Sequence, residues 1–250
     1  MAINSPCGGA QTKNEDNTVS ETKSLSIDIV SDVMCPWCYI GQKNLDAARE
    51  IASEVELDIH WRPYQLDPTL PPEGKDRQTY LNEKFGGEEK ATEIYQRVKD
   101  AGTNSGIDFR FDLMKVSPNT LDAHRLIRWA GGVSPQIQDK LVRRLFELFF
   151  EEGANIGDHT ILVEAATHVG MDTEIVKDLL AGDKDKQETT IEIGQAQQMG
   201  VSGVPFFIIA NKYALSGAQP PEVLANAIRQ ISAEIEEQGQ FATGEGPITN

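Results

Sequence analysis

The sequence predicts an α/β protein in which a long block of helices interrupts a small sheet. Three observations carry this. Two short strand patterns, at 25–30 and 56–62, flank a helical stretch near the start. A strand pair and a final helix close the chain, at 204–216 and from 220 on. Between these halves, 69–186 shows only helical periodicity.

Leu25-Ser26-Ile27-Asp28-Ile29-Val30 alternates apolar and polar residues and then turns fully apolar, as a strand does. Ser31-Asp32-Val33-Met34 leads out of it. Ile40, Leu45, Ala48 and Ile51 then recur at helical spacing, to about Ser53. In 56–62, Leu57, Ile59 and Trp61 share one face. The unit reads βαβ, with parallel strands and a right-handed crossover. A Pro-rich break follows over 67–74. Helices are expected at 77–85, 88–104, 118–130, 135–151, 158–169 and 172–180. Pro118 and Pro135 fit first helical positions, each behind a Ser that can cap, and Asp158 and Asp172 read as N-caps. Leu141, Leu145, Leu148 and Phe149 form an apolar stripe. A helix at 187–199 is closed by Gly200. Residues 204–209 read as a buried strand led in by Pro205, 211–212 as a tight turn and 213–216 as the partner strand. Pro220 and Pro221 open the last helix, whose apolar face is Val223, Leu224, Ala227, Ile228, Ile231 and Ile235. Without the helical block the order is β-α-β, α-β-β-α, the thioredoxin fold. The expected organisation is a disordered leader 1–23, a thioredoxin-like domain 24–68 and 187–237, an inserted α-helical domain 69–186 and a loose tail 238–250.

Across 250 residues, 23 Lys and Arg face 39 Asp and Glu, a formal charge of −16. That balance argues against nucleic acid or an anionic membrane as partner, because phosphate binding needs clustered cations. No run approaches the roughly 18–20 apolar residues of a membrane span. The first 24 residues lack a basic segment followed by an apolar one, so no secretory signal is read and the cytoplasm is the expected compartment.

Three cysteines are too few for a disulfide framework. Cys7 sits alone in the leader. Cys35-Pro36-Trp37-Cys38 follows the first strand and opens the first helix. The free N–H groups and positive dipole there favour a thiolate, the nucleophilic form. Cys35 is therefore expected to be the exposed attacking sulfur. Cys38, about one turn further on, would resolve the mixed disulfide from below. Pro36 loses nothing by lacking an N–H in the first turn. Trp37 offers an aromatic surface to a substrate. Zinc needs two further ligands, and Cys7 and four His at unpaired spacings do not supply them, so no metal is expected. Val204-Pro205 opens a strand after Ser202-Gly203. In the thioredoxin fold this position holds a cis-proline packed against the C-x-x-C, with the Val204 backbone turned toward an extended substrate; the plainer reading is a trans Pro at a strand entry.

Met34-Cys35-Pro36-Trp37-Cys38-Tyr39, the run from Trp61 to Pro68, Pro118-Asn119-Thr120 with His124-Arg125-Leu126, the run from Gly200 to Phe207 and Ser216-Gly217-Ala218-Gln219 together resemble the DsbA-like family, FrnE branch. The resemblance implies disulfide oxidoreductase or isomerase activity, with Cys35 as nucleophile, Cys38 as resolving thiol and Pro205 as cis-Pro. Related clan members, kappa-class glutathione transferases and 2-hydroxychromene-2-carboxylate isomerases, use glutathione but typically carry Ser at the first Cys position and lack the second Cys. Both cysteines stand here, which favours redox exchange. Pro-Trp replaces the Pro-His of strongly oxidising DsbA, and Trp cannot supply an imidazolium beside the thiolate, so the direction of electron flow stays open. No cofactor is expected, glutathione being the one co-substrate the clan suggests. The expected partners are proteins or small molecules carrying disulfides; the oligomeric state is not legible. His124 is a candidate substrate-cleft residue or proton carrier, with a packing role as the plainer reading. Asn119 reads first as a cap, and Asp32 either as a buried proton acceptor for Cys38 or as an exposed turn residue. A glutathione-dependent isomerase or transferase and a non-enzymatic holdase are the rival functions.

Overall fold

The computed structural model describes Met1 and residues 24–242. β1 (Leu25–Ser31), α1 (Pro36–Ile51) and β2 (Leu57–Pro63) form the first unit. β1 and β2 are parallel, in register from Leu25 opposite Leu57 to Ser31 opposite Pro63. β3 (Lys75–Asp76), α2 (Arg77–Phe85), α3 (Glu88–Asn104), β4 (Val116–Ser117), α4 (Leu121–Val133), α5 (Pro135–Phe150), α6 (His159–His168) and α7 (Thr173–Ala181) come next. α8 (Lys186–Gln198), β5 (Phe206–Ile209), β6 (Tyr213–Ser216) and α9 (Pro221–Ala242) complete the chain. The main sheet runs β2-β1-β5-β6, with β5 antiparallel to both neighbours.

Both faces of β1 are covered, which is why its alternation fades into a continuous apolar run. Ile27 and Ile29 join a core that includes Leu45 and Ala48 of α1 and Leu224, Ile228 and Ile231 of α9. Val30 points the other way, into a smaller cluster with Tyr64, Ala196 and Val201. The fold is thus helix, sheet, helix in layers, with α1 and α9 on one face and α8 near the other.

The edge strand β2 is closed by a side chain. Gln138 of α5 accepts from Trp61 N at 3.0 Å and donates Nε2 to Trp61 O and to Ile127 O, both at 3.3 Å. Its amide occupies the place of a further strand, so the edge offers no free ladder there. The helical block is anchored to α1 by aromatic packing. Tyr39 stacks on Phe146 at 5.1 Å and meets Phe109 edge-on at 6.2 Å. Arg143 of α5 clamps Asp46 of α1, and Arg125 of α4, fully buried, donates to the carbonyls of Leu179, Gly182 and Lys184 at 2.7–2.8 Å. That arginine ties α4 to the turn before α8.

The βαβ unit, the helix caps at Ser134, Asp158 and Asp172 and the closing hairpin fall where the sequence places them. Three expectations are corrected. The helix expected at 118–130 begins at Leu121, after the Thr120 N-cap, because Ser117 pairs with Lys75 in the two-residue β3–β4 ladder and Asn119 Oδ1 accepts from Leu121 N at 2.9 Å. A two-residue strand leaves no periodicity to read. The helix expected at 187–199 spans Lys186–Gln198. The loose tail does not start at 238: α9 continues to Ala242, with Gln238 bonded to Glu234 at 2.9 Å one turn back. Residues 2–23 of the leader, with Cys7, and 243–250 lie outside the described residues. Among the described residues no helix is long and apolar enough to cross a membrane.

Removing the ring that Tyr39 stacks on tests the anchor. Phe146→Ala should lower unfolding free energy by about 3–5 kcal/mol, the range for a buried Phe. A urea midpoint within experimental error of the parent would contradict this.

Candidate active site

The site grows from the end of β1. The chain turns through Asp32 to Met34, with Cys35 N donating to Asp32 O at 2.9 Å. Cys35 is the N-cap of α1, in extended conformation, and Pro36 lies in the first turn. No side-chain oxygen caps this helix, so the positive end of its dipole lies at Cys35 without a competing side-chain acceptor.

The two cysteines are free thiols, and both are buried, Cys35 at 4% exposure and Cys38 at 1%. The expectation of an exposed Cys35 is corrected: the Val204–Pro205 loop covers it. The Val204–Pro205 peptide is cis, and Cys35 Sγ donates to Val204 O at 3.7 Å. The Pro205 ring crowds α1, where a Cβ on Gly41 would lie 2.8 Å from Pro205 Cγ. Gly217 N donates to Pro205 O at 2.8 Å and fixes the loop to the end of β6. What faces solvent is Trp37, 40% exposed.

Burial pushes the Cys38 thiol well above its ordinary pKa, and the neighbouring Cys35 raises it further; the Ser31 hydroxyl and the Asp32 N–H oppose this less strongly. Asp32 is wholly buried, which decides between its two readings. Its Oδ1 accepts from Met34 N at 3.3 Å and its Oδ2 from Leu66 N at 2.8 Å.

His124 is 3% exposed and approaches this carboxylate, with Nε2 3.4 Å from Asp32 Oδ1. The contact is an ion-pair distance without hydrogen-bond alignment, since Nε2 has no hydrogen-bond partner. His124 also lines a groove of about 780 Å³ with Trp61, Arg62 and Trp129. Cys35, Trp37 and Val204 do not line it. The structure therefore brings Cys35, Cys38, Trp37, Val204 and Pro205 together, and sets His124 behind the motif against Asp32, away from the substrate cleft that was the alternative to its packing role. Asn119 lies one residue ahead of the Thr120 N-cap; its Oδ1 accepts from Leu121 N and Gln65 Nε2, and its Nδ2 donates to Leu70 O.

Sequence reasoning missed Ser31 and Tyr95. Burial raises the Tyr95 phenol, Arg77, stacked over its ring at 4.8 Å, opposes this, and Cys35 adds a smaller raise. Nothing in the spacing of α3 marks Tyr95, because only tertiary packing carries that helix to the motif. Ser31, the last residue of β1, was legible as a neighbour of the motif but not as a partner of Cys38. Among the described residues no cluster of His, Cys, Asp and Glu is placed to hold a metal ion.

Residues 26–229 match the model of the DSBA-like thioredoxin domain, and the chain belongs to that family. The uncharacterized protein YwbO of Bacillus subtilis (strain 168) is 24% identical over 207 residues, covering 82% of this chain and 96% of YwbO. A probable DsbA oxidoreductase from Streptomyces coelicolor superposes with a TM-score of 0.74 at 27% identity, covering 90% of this chain and 93% of the other. The cytosolic disulfide reductase DsbM from Pseudomonas aeruginosa, solved with GSH, gives 0.60 at 15% identity, covering 83% and 100%. A 2-hydroxychromene-2-carboxylate isomerase gives 0.64 at 13%, covering 85% and 98%, and shares the fold.

Two outcomes follow from these contacts. The raised Cys38 thiol means that the folded, reduced chain holds this proton more tightly than the unfolded chain. Its stabilising effect is full below the unfolded cysteine value of about 8.5 and is lost as pH rises toward the folded value. Urea unfolding of the reduced protein should therefore show stability falling above about pH 8.5, and Cys38→Ala should remove that part of the slope. An unchanged slope in Cys38→Ala would refute the assignment. Gly41→Ala should push the Pro205 ring off α1 and lower both the melting temperature and the reaction rate of Cys35 with a small disulfide; a variant matching the parent in both would show that the ring yields freely.

Proposed function

We propose that the chain is a thiol–disulfide oxidoreductase or isomerase of the FrnE-like kind, working in the cytoplasm on disulfides of proteins or small molecules. The observation that carries this reading is the inequality of the two sulfurs. One stands at an uncapped helix start against the Val204 carbonyl, and the other is sealed beneath it with its proton held tightly. The first is suited to attack and the second to wait.

The reaction needs no cofactor beyond the two thiols. Cys35 thiolate attacks one sulfur of a substrate disulfide, the substrate S–S bond breaks, and one substrate thiolate leaves. Cys38 then attacks Cys35, the Cys35–Cys38 bond forms, and the second substrate thiolate leaves. The dithiol is oxidised and the substrate reduced; the reverse sequence oxidises a substrate dithiol. Trp37, Val204 and Pro205 surround the sulfur and supply the contact surface, with the Val204 backbone as the group for an extended peptide. Oxidised glutathione is the small disulfide to try first, since the DsbM structure is described with GSH. A glutathione-dependent isomerase would have no use for a buried second thiol, which favours exchange over that rival.

Purified reduced protein should catalyse the reduction of insulin disulfides in the presence of a thiol donor. Cys35→Ser should be inactive, and Cys38→Ala should accumulate a mixed disulfide visible by mass spectrometry. Undiminished activity in Cys35→Ser would exclude the mechanism, and full turnover of Cys38→Ala with a glutathione-conjugated substrate would favour the isomerase or transferase.

A further inference from the structure

Three observations meet behind Cys38. The Ser31 Oγ is buried beside the resolving thiol, on which its hydroxyl acts, and it has no aligned hydrogen-bond partner. His124 Nε2 is likewise buried and unpartnered. Both residues line one small, narrow cavity of about 10 Å³, together with Val33, Trp61, Ile127, Val142 and the exposed Arg62. That volume is at the lower limit for one water, which a cavity holds only when polar partners receive it. Of the six buried side-chain polar atoms without an aligned partner among the described residues, these two share one cavity, and such atoms call for a partner. His124 continues outward, because it lines the 780 Å³ groove as well.

We propose that Ser31 and His124, joined across this cavity by one water, carry the Cys38 proton to the groove while Cys38 closes on Cys35. The proposal rests on the exchange reaction above and assigns the proton's exit within it. Cys38 gives its proton to Ser31 Oγ as the Ser31 proton passes to the water and a water proton passes to His124 Nε2. The Cys38 thiolate then forms the bond to Cys35 Sγ, and the bond from Cys35 to the substrate sulfur breaks with its electron pair on the departing thiolate. The imidazolium so formed faces Asp32 Oδ1 at 3.4 Å, a carboxylate already held by two backbone N–H groups, and releases its proton to the groove. The path solves a definite problem: a thiol sealed at 1% exposure has no direct route to solvent, yet it must ionise to react.

The charged groups around the path are accounted for. Cys35 and Asp32 adjoin Cys38, and Asp32 adjoins His124. Arg62 is engaged by Asp28 at 2.8 Å. On the groove side His60 meets Asp58, Arg128 meets Glu192, Asp185 accepts from Trp129 and Asp172 caps α7. His124 lines both the cavity and the groove.

Dithiobis(nitrobenzoate) separates the steps on the reduced full-length protein carrying Cys7→Ser, in which Cys35 and Cys38 are the two remaining thiols; all variants below are made in this background. The first thionitrobenzoate released reports attack by Cys35, the second reports attack by Cys38. In Ser31→Ala and in His124→Gln the first phase should keep its rate and the second should slow at least about tenfold near neutral pH, as loss of a proton-transfer group does. The double variant should be no slower than the slower single, and Ser31→Thr, which keeps the hydroxyl, should restore the second phase. In the Cys7→Ser parent, heavy water should slow the second phase more than the first, a readout that needs no further substitution. A normal second phase in either single variant, equal slowing of both phases, or equal isotope effects would overturn the relay. A first phase that survives Cys35→Ser, or no release at all from the parent, would overturn the exchange reaction instead.

Discussion

The buried Asp32 carboxylate is the contact on which the site depends. It accepts from Met34 N on the approach to Cys35 and from Leu66 N just beyond β2, so one side chain fixes the β1–α1 turn against the exit of the neighbouring strand. A carboxylate with no exposure is costly unless its oxygens are bonded, and these two bonds together with the nearby imidazole meet that demand. Because the turn cannot shift without stranding that charge, the start of α1, and with it Cys35, has one position.

The rest of the fold holds the two sulfurs in unlike surroundings. The parallel pair β1–β2 sets the level at which α1 begins, and β5 brings Val204 and Pro205 to the same end of the sheet. α1 is then pressed from two sides, by the Pro205 ring at Gly41 and by the aromatic stack of Tyr39 with Phe146 and Phe109. The helical block therefore does more than cover the sheet. It supplies Gln138 to close the β2 edge, Tyr95 near Cys35 and His124 behind Asp32.

Much of this was legible because local chemistry left local signals. Alternation marks β1 and β2, Pro135 after Ser134 marks the start of α5, and C-x-x-C between a strand and a helix marks the reactive pair. The misses have equally local reasons. β3 and β4 are too short to carry a period, and Pro118 does not open α4, because the Asn119 side chain ties the segment ahead of the Thr120 N-cap to Leu121 N and Leu70 O. The end of α9 was misread from its Gly-rich composition, although a helix already nucleated propagates through a few poor residues.

By itself the sequence determined the thioredoxin-like order with its helical interruption, the reactive pair and the proline facing it, since periodicity, caps and a spaced cysteine pair are properties of neighbouring residues. Only the tertiary structure decided that Cys35 is covered, that Asp32 is buried, and that Ser31 and His124, 93 positions apart, open on one cavity. Those facts depend on which surfaces meet once the block of helices closes on the sheet, and burial and partnership between distant residues have no local signature.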